Sequence, residues 1–422
     1  MDYGLCFICR WFFCINGSRR GGSRTAPTRS IICCDQTIMT VYIIDNLIHR
    51  SNGVKKSYCL FFCILLLSFC GLLVWGSDQA NPIRWRDLLR QSDPWYGSKE
   101  AVRMADNLLL FQRSSGGWPK NTDMTRVLSE KDRADLLKNK TQIDSTIDNG
   151  ATTTEIRYLA RVYTATKEKR FRKGFIKGLD YLLAAQYDNG GWPQFYPLKG
   201  GYSNHITFND NAMIRVMEVL RDITRQKTDF TFVEETYRTK ATTALEKGIN
   251  CIVKCQIKID GTLTAWCAQH DEHTFEPRKA RTYELPSLSG SESVGIVRFL
   301  MGIETPTPEI VSAIESAVAW FDGPAKLTGI RIVNKSIPPT QQEAGGRPYD
   351  RLVVSDPTAP PLWARFYEIG TNRPFFCSRD GVKKYDIAEI SQERRTGYSW
   401  YGDYAADLLE KDYPFWTKQG KK

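Results

Sequence analysis

The sequence predicts an all-α fold of about three helical hairpin repeats, set in a ring as an α/α toroid with irregular loops forming a groove. The first observation is a repeat. Leu108 to Gln112 runs into Gly116-Gly117-Trp118-Pro119-Lys120, and Leu182 to Gln186 runs into Gly190-Gly191-Trp192-Pro193-Gln194. A degenerate third copy is Cys251 to Gln256, then Asp260-Gly261 and Trp266. The second observation is that a new apolar stretch at helical spacing follows each Trp turn. These inner helices open at Asp148, at Asp210 and near Ser287 to Gly290, and outer helices are expected at about 168–186, 232–256 and 307–322. The third is that no run of period-two strands interrupts the pattern, and Gln341 to Pro361 reads as a long loop.

The N-terminal part is read separately. Lys55-Lys56 precedes Tyr58 to Trp75, a stretch with no charged residue, and Gly76-Ser77 follows. This is the layout of a secretory signal, and its length also approaches that of a membrane anchor. Residues 1–54 resemble no domain, residues 55–76 are a signal peptide or anchor, and residues 85–418 are the expected catalytic domain. The expected location is secreted, periplasmic or cell-surface. With residues 1–76 set aside, 50 basic residues face 44 acidic ones, a net charge of +6. That balance suits an anionic partner only weakly. Four cysteines then remain, Cys251, Cys255, Cys267 and Cys377. No CxxC survives, so a zinc site is disfavoured, while one or two disulfides stay possible.

Chemistry is expected where the inner helices begin. Thr146-Ile147-Asp148-Asn149-Gly150 and Phe208-Asn209-Asp210-Asn211 each bring a carboxylate and amides to a helix start. Either Asp alone reads as an N-cap. At matching points of a repeat, the two read as a paired site whose hard oxygens suit Ca²⁺. Arg281 in Arg278-Lys279-Ala280-Arg281-Thr282-Tyr283-Glu284, with Arg365 and Arg379 among aromatics, suggests recognition of carboxylates. The competing reading is structural ion pairing, Arg281 with Glu284 for example. Lys120, on the first Trp turn, joins this set. His270-Asp271-Glu272-His273 reads as a solvated loop or a metal cluster. There is no Walker loop, no GxSxG and no HExxH.

Together, TIDNGATTTEIRYLARVY, GGWPQFYPL, FNDNAM, WCAQHD, ARTYELPSLSGSES, FYEIGTNRPFFCSRDG and RRTGYSWYG resemble family 10 pectate lyases over residues 85–418. The resemblance implies an (α/α)₃ toroid and Ca²⁺-assisted anti β-elimination of α-1,4-linked polygalacturonate, giving unsaturated oligogalacturonates. It implies Asp148 and Asp210 as metal residues and Arg281 as the base. Asn149, Arg365 and Arg379 become substrate-binding residues, with Lys120 added from its place on the Trp turn. Arg278 is a rival for Arg281. No nucleic acid and no stable protein partner is implied, and a monomer is expected. An Arg base needs nearby positive charge and a dry site, because free Arg is essentially always protonated. Two other readings remain open. One is a glycoside hydrolase using Asp148 and Asp210 as acid and base. The other is a non-catalytic binder of acidic polysaccharide. A triterpene cyclase, whose fold carries Gln-Gly-Trp repeats, would need an acidic proton-donor motif that this chain lacks.

Overall fold

The computed structural model describes residues 83–420, and the Tyr58 to Trp75 segment lies outside them. Residues 83–422 cluster as one unit. Its helices are α1 (Lys99–Phe111), α2 (Glu130–Lys138), α3 (Thr153–Thr166), α4 (Lys169–Ala184), α5 (Ala212–Thr224), α6 (Glu235–Cys255), α7 (Glu292–Met301), α8 (Pro308–Asp322), α9 (Gln392–Gly397) and α10 (Tyr413–Lys418). The three outer helices expected near 168–186, 232–256 and 307–322 are α4, α6 and α8. Helix α3 packs on α4, α5 on α6 and α7 on α8.

The all-α toroid is overturned. Six two-stranded antiparallel sheets separate and follow the helices, and the longest pairs Ile330–Ser336 with Tyr349–Ser355 over seven residues each. The stretch expected to be a loop from Gln341 is therefore half of a hairpin. Neither strand holds a buried residue: the first is half-buried only at Ile330 and Ile332 and the second only over its first five residues, so no sustained alternation of apolar and polar residues marks them. Among the described residues no helix is long and apolar enough to cross a membrane.

The repeat is held by the same bonds each time. The indole Nε1 of Trp118 donates to Leu108 O (2.8 Å), that of Trp192 to Leu182 O (2.8 Å) and that of Trp266 to Ile252 O (2.7 Å). Gln112, Gln186 and Gln256 each use Nε2 twice, once across their own turn and once to a carbonyl of the next outer helix. These Gln side chains satisfy polar backbone inside the packing, where an unpaired carbonyl is costly. Gly116 and Gly190 sit at φ +98° and +94°, and a Cβ there would collide with the carbonyls of Lys177 and Lys247. A fourth, unexpected copy ends the series. Trp363 Nε1 donates to Phe321 O at 2.9 Å, at the end of α8.

All four Trp side chains lie in the main apolar core. A smaller aromatic cluster around Tyr283, Phe366, Phe376 and Trp400 supports the C-terminal loops. Cys251, Cys255, Cys267 and Cys377 are free and buried, so the possible disulfides are absent among the described residues. Burial pushes the Cys377 thiol up to about 11, which keeps it an unreactive thiol.

Candidate active site

The residue three beyond each later Trp pairs with the turn of the unit before it. Phe195 pairs with Thr146, Gln269 with Thr207 and Phe366 with Ser289. Gln194 O, Ala268 O and Arg365 O then accept from the amides of Ile147, Phe208 and Gly290. Lys120, Gln194, Ala268 and Arg365, each two residues past a Trp, therefore occupy equivalent seats beside the helix starts.

This register corrects the expected equivalence of Asp148 and Asp210. Ile147 (φ −101°, ψ −2°) matches Phe208 (φ −94°, ψ −10°), and Asn149 (φ 52°, ψ 26°) matches Asp210 (φ 50°, ψ 30°). Asp148 is thus equivalent to Asn209, and the carboxylates stand one step apart. Left-handed backbone is tolerated best by Asn, Asp and Gly, which explains why both turns are built from them. Neither Asp makes a side-chain cap to its helix. The N-cap explanation of these carboxylates therefore fails, and both remain available to a ligand.

Asp148 is 4% exposed. Its Oδ2 accepts from Lys120 Nζ at 2.5 Å and from Gln194 Nε2 at 2.8 Å, two equivalent seats of neighbouring repeats. Asn149, beside it, donates from Nδ2 to Asn121 Oδ1 at 2.9 Å. The Asp210 side chain is 43% exposed. It accepts from Asn209 Nδ2 at 3.0 Å and from Arg365 at 3.3 Å. Arg365 is anchored behind it on buried Glu292, at 2.5 Å, and Ser289 Oγ donates to the other Glu292 oxygen. Burial opposes the charge of Arg365, but Glu292, then Tyr398 and Asp210, raise its pKa further.

Lys120, Asp148, Asn149, Asp210 and Arg281 line one polar cavity of about 200 Å³, together with Gln194, Gln269 and Glu284. Cavities of about 420 and 540 Å³ elsewhere contain neither carboxylate, so size alone misdirects. Arg365 braces this cavity through Asp210 rather than lining it. Arg379 stands outside it, exposed and paired with Glu393 at 2.9 Å. Arg278 is tied to Asp271 at 2.8 Å, so of the two rivals only Arg281 faces the cavity.

Arg281 binds Glu284 through both Nε, at 2.8 Å, and Nη2. The Glu284 bond is the main cause of a raised Arg281 pKa, and burial only partly opposes it. The ion pair weighed against a base role is therefore present. The cations expected to disfavour the charge of Arg281 are themselves paired, Arg365 with Glu292 and Arg379 with Glu393. The ring of Tyr398 links two of the guanidiniums, 4.9 Å from Arg365 and 5.9 Å from Arg281. Burial alone would raise Glu284, but Arg281 and a 2.8 Å bond from Tyr398 hold its pKa below the usual value.

The sequence missed Gln194, Glu292 and Tyr398. Gln194 was legible as the equivalent of Lys120. The other two are brought in by long-range packing and carry no local signal.

His270 is buried. Its Nδ1 faces Phe275 O at 2.7 Å and its Nε2 accepts from Cys267 N at 3.0 Å, a structural role. His205, Asp271 and Glu272 do bring possible ligand atoms together. Asp271 is already occupied by the amides of His273 and Thr274 and by Arg278, which supports the loop reading.

The family model described as pectic acid lyase matches residues 112–409. Among solved structures, a family 10 polysaccharide lyase from Cellvibrio cellulosa is 40% identical, with a TM-score of 0.64, covering 78% of this chain and 95% of that one. A mutant of a family 10 polysaccharide lyase from the same organism, in complex with trigalacturonic acid, is also 40% identical. Its TM-score is 0.65, over 76% of this chain and 95% of the other. No curated protein matches the sequence.

Proposed function

The chain belongs to the pectic acid lyase family, and on that premise we propose that it cleaves polygalacturonate by Ca²⁺-assisted anti β-elimination. The observation that carries this reading is the meeting of Asp148, Asp210 and Arg281 in one polar cavity. We take residues 85–418 as the catalytic domain, exported through the Tyr58 to Trp75 segment. That location is tested by finding the activity outside the expressing cell.

The donor set fits Ca²⁺. Asp148 and Asp210 supply hard oxygens that no helix cap consumes, and they would hold the ion with the substrate's own carboxylate. Bound there, Ca²⁺ supplies positive charge against the carboxylate next to the reacting carbon. Lys120 and Asn149 line the same cavity and are suited to orient the acidic sugar. Arg365 sets Asp210 from behind. Arg379, outside the cavity, would meet substrate only after leaving Glu393.

In the elimination, Arg281 takes the C5 proton. The C5–H electrons become the C4=C5 double bond, and the C4–O bond breaks with its electrons on the leaving oxygen. Charge grows on the adjacent carboxylate, so groups that face it act most strongly in the transition state. Arg281 must be neutral for this step, and Glu284 holds it charged in the free enzyme. Substrate entry must therefore separate that pair, and turnover is expected to rise toward alkaline pH.

The test is ultraviolet absorbance on adding the protein to polygalacturonate, with Ca²⁺ and then with chelator. A Ca²⁺-dependent rise from the unsaturated product is expected. New reducing ends without absorbance would instead make Asp148 and Asp210 a hydrolytic pair, and neither signal would leave a binder. Arg281→Lys is expected to lose most turnover and keep oligogalacturonate binding. Near-normal turnover in that variant would remove Arg281 as the base.

A further inference from the structure

The loop that follows the second Trp turn reaches the rim of the cavity. Tyr202 lines the cavity and is 41% exposed, and Leu198 is 48% exposed. Lys199 places its Nζ 4.2 Å from the centre of the Phe195 ring. Lys120, which binds Asp148, lies 5.6 Å from the centre of the same ring. Among the described residues Lys199 has no carboxylate partner, whereas Lys120 has one. What sets this loop apart is position: an exposed aromatic ring and an ammonium without a carboxylate partner stand together at the rim of the polar cavity. A sugar presents apolar C–H faces to an aromatic ring and a carboxylate to a cation, which accounts for both.

We propose that Lys199 and Tyr202 form a further binding subsite for an acidic sugar, next to the one that reacts. This rests on the polysaccharide reading above. Lys199 reads the carboxylate of the neighbouring unit and Tyr202 packs against its ring. Both lysines stand against Phe195, at 5.6 and 4.2 Å from its ring centre, so adjacent carboxylates would meet separate cations.

The test uses two gels, one containing pectate and one containing highly methyl-esterified pectin, with KM and kcat on polygalacturonate measured alongside. Lys199→Gln is expected to weaken retention by pectate and raise KM about fivefold, with kcat within about twofold. It should leave retention by esterified pectin nearly unchanged, because few free carboxylates are present there. Tyr202→Ala is expected to weaken both retentions. Lys199→Gln with unchanged pectate retention, or with equal losses in the two gels, would overturn the subsite. So would a Tyr202→Ala variant retained as well as the parent. If the parent turns over no polymer, the lyase reading fails while the gels still decide the subsite.

Discussion

The two Asp-bearing turns share a backbone and differ in how their carboxylates are held. Asp148 is sunk in the turn and gripped on one oxygen by Lys120 and Gln194. Asp210 stands one residue later, on left-handed backbone, half in solvent and backed by an Arg365–Glu292 pair. A duplicated scaffold thus delivers two carboxylates at different depths. The deep one has fixed donors and little freedom. The shallow one can adjust to an arriving ion or sugar.

If this contrast governs function, the deep carboxylate is the less replaceable. Asp148→Asn is expected to lower kcat by about a hundredfold or more, because its amide loses the charge and disturbs two donors at once. Equal kcat values for Asp148→Asn and Asp210→Asn would dissolve the distinction. Asp210→Asn is expected to act mainly on the metal, raising the Ca²⁺ concentration for half-maximal rate about tenfold. A Ca²⁺ titration checks this, and an unchanged midpoint would remove Asp210 from the metal.

Glu284→Gln sharpens the role of the residue between the turns. Removing the carboxylate that raises the Arg281 pKa eases loss of its proton, so the rising limb of kcat should move to lower pH. A fall in rate without movement of that limb would leave Glu284 as a purely positional partner.

The smallest effect concerns acid. His270 lies behind the second turn, where it pairs with Ile206, and burial lowers its pKa from 6.5 to about 4. The unfolded chain binds a proton near 6.5 before the folded one does, so stability falls as pH drops from 6.5 toward 4, by roughly a few kcal/mol at most. Hydrogen exchange at 206–211 should rise through that window before exchange at 146–151. His270→Gln should flatten the pH dependence, and a slope like the parent's would acquit His270.

Much of this was readable from the chain. The Gln and Trp of each unit mark a helix end within a few residues, because one side chain must tie a turn and the other must fill the core. The fourth unit was not readable. Forty residues part α8 from Trp363, no Gln ends that helix, and Pro361-Leu362 stand where Gly-Gly precedes the first two Trp residues. The site's members were legible as residue types, but their register was not. Asp-Asn occurs in both turns, and matching those letters aligns Asp148 with Asp210. Backbone geometry aligns Asp148 with Asn209, since the positive φ belongs to Asn149 and Asp210. Arg379 was drawn in by its aromatic neighbours, yet Glu393 holds it outside the cavity.

The four seats two residues past each Trp carry Lys120, Gln194, Ala268 and Arg365. The main chains of the last three do the same job, and their side chains vary. Duplication has in this way separated inheritance of shape from inheritance of charge. The tie that builds the turn recurs in the last three copies, while each side chain differs. The two outer seats carry cations, each paired with a carboxylate, and the two inner seats are neutral, so the charge at each helix start is set by the side chain and not by the shared turn.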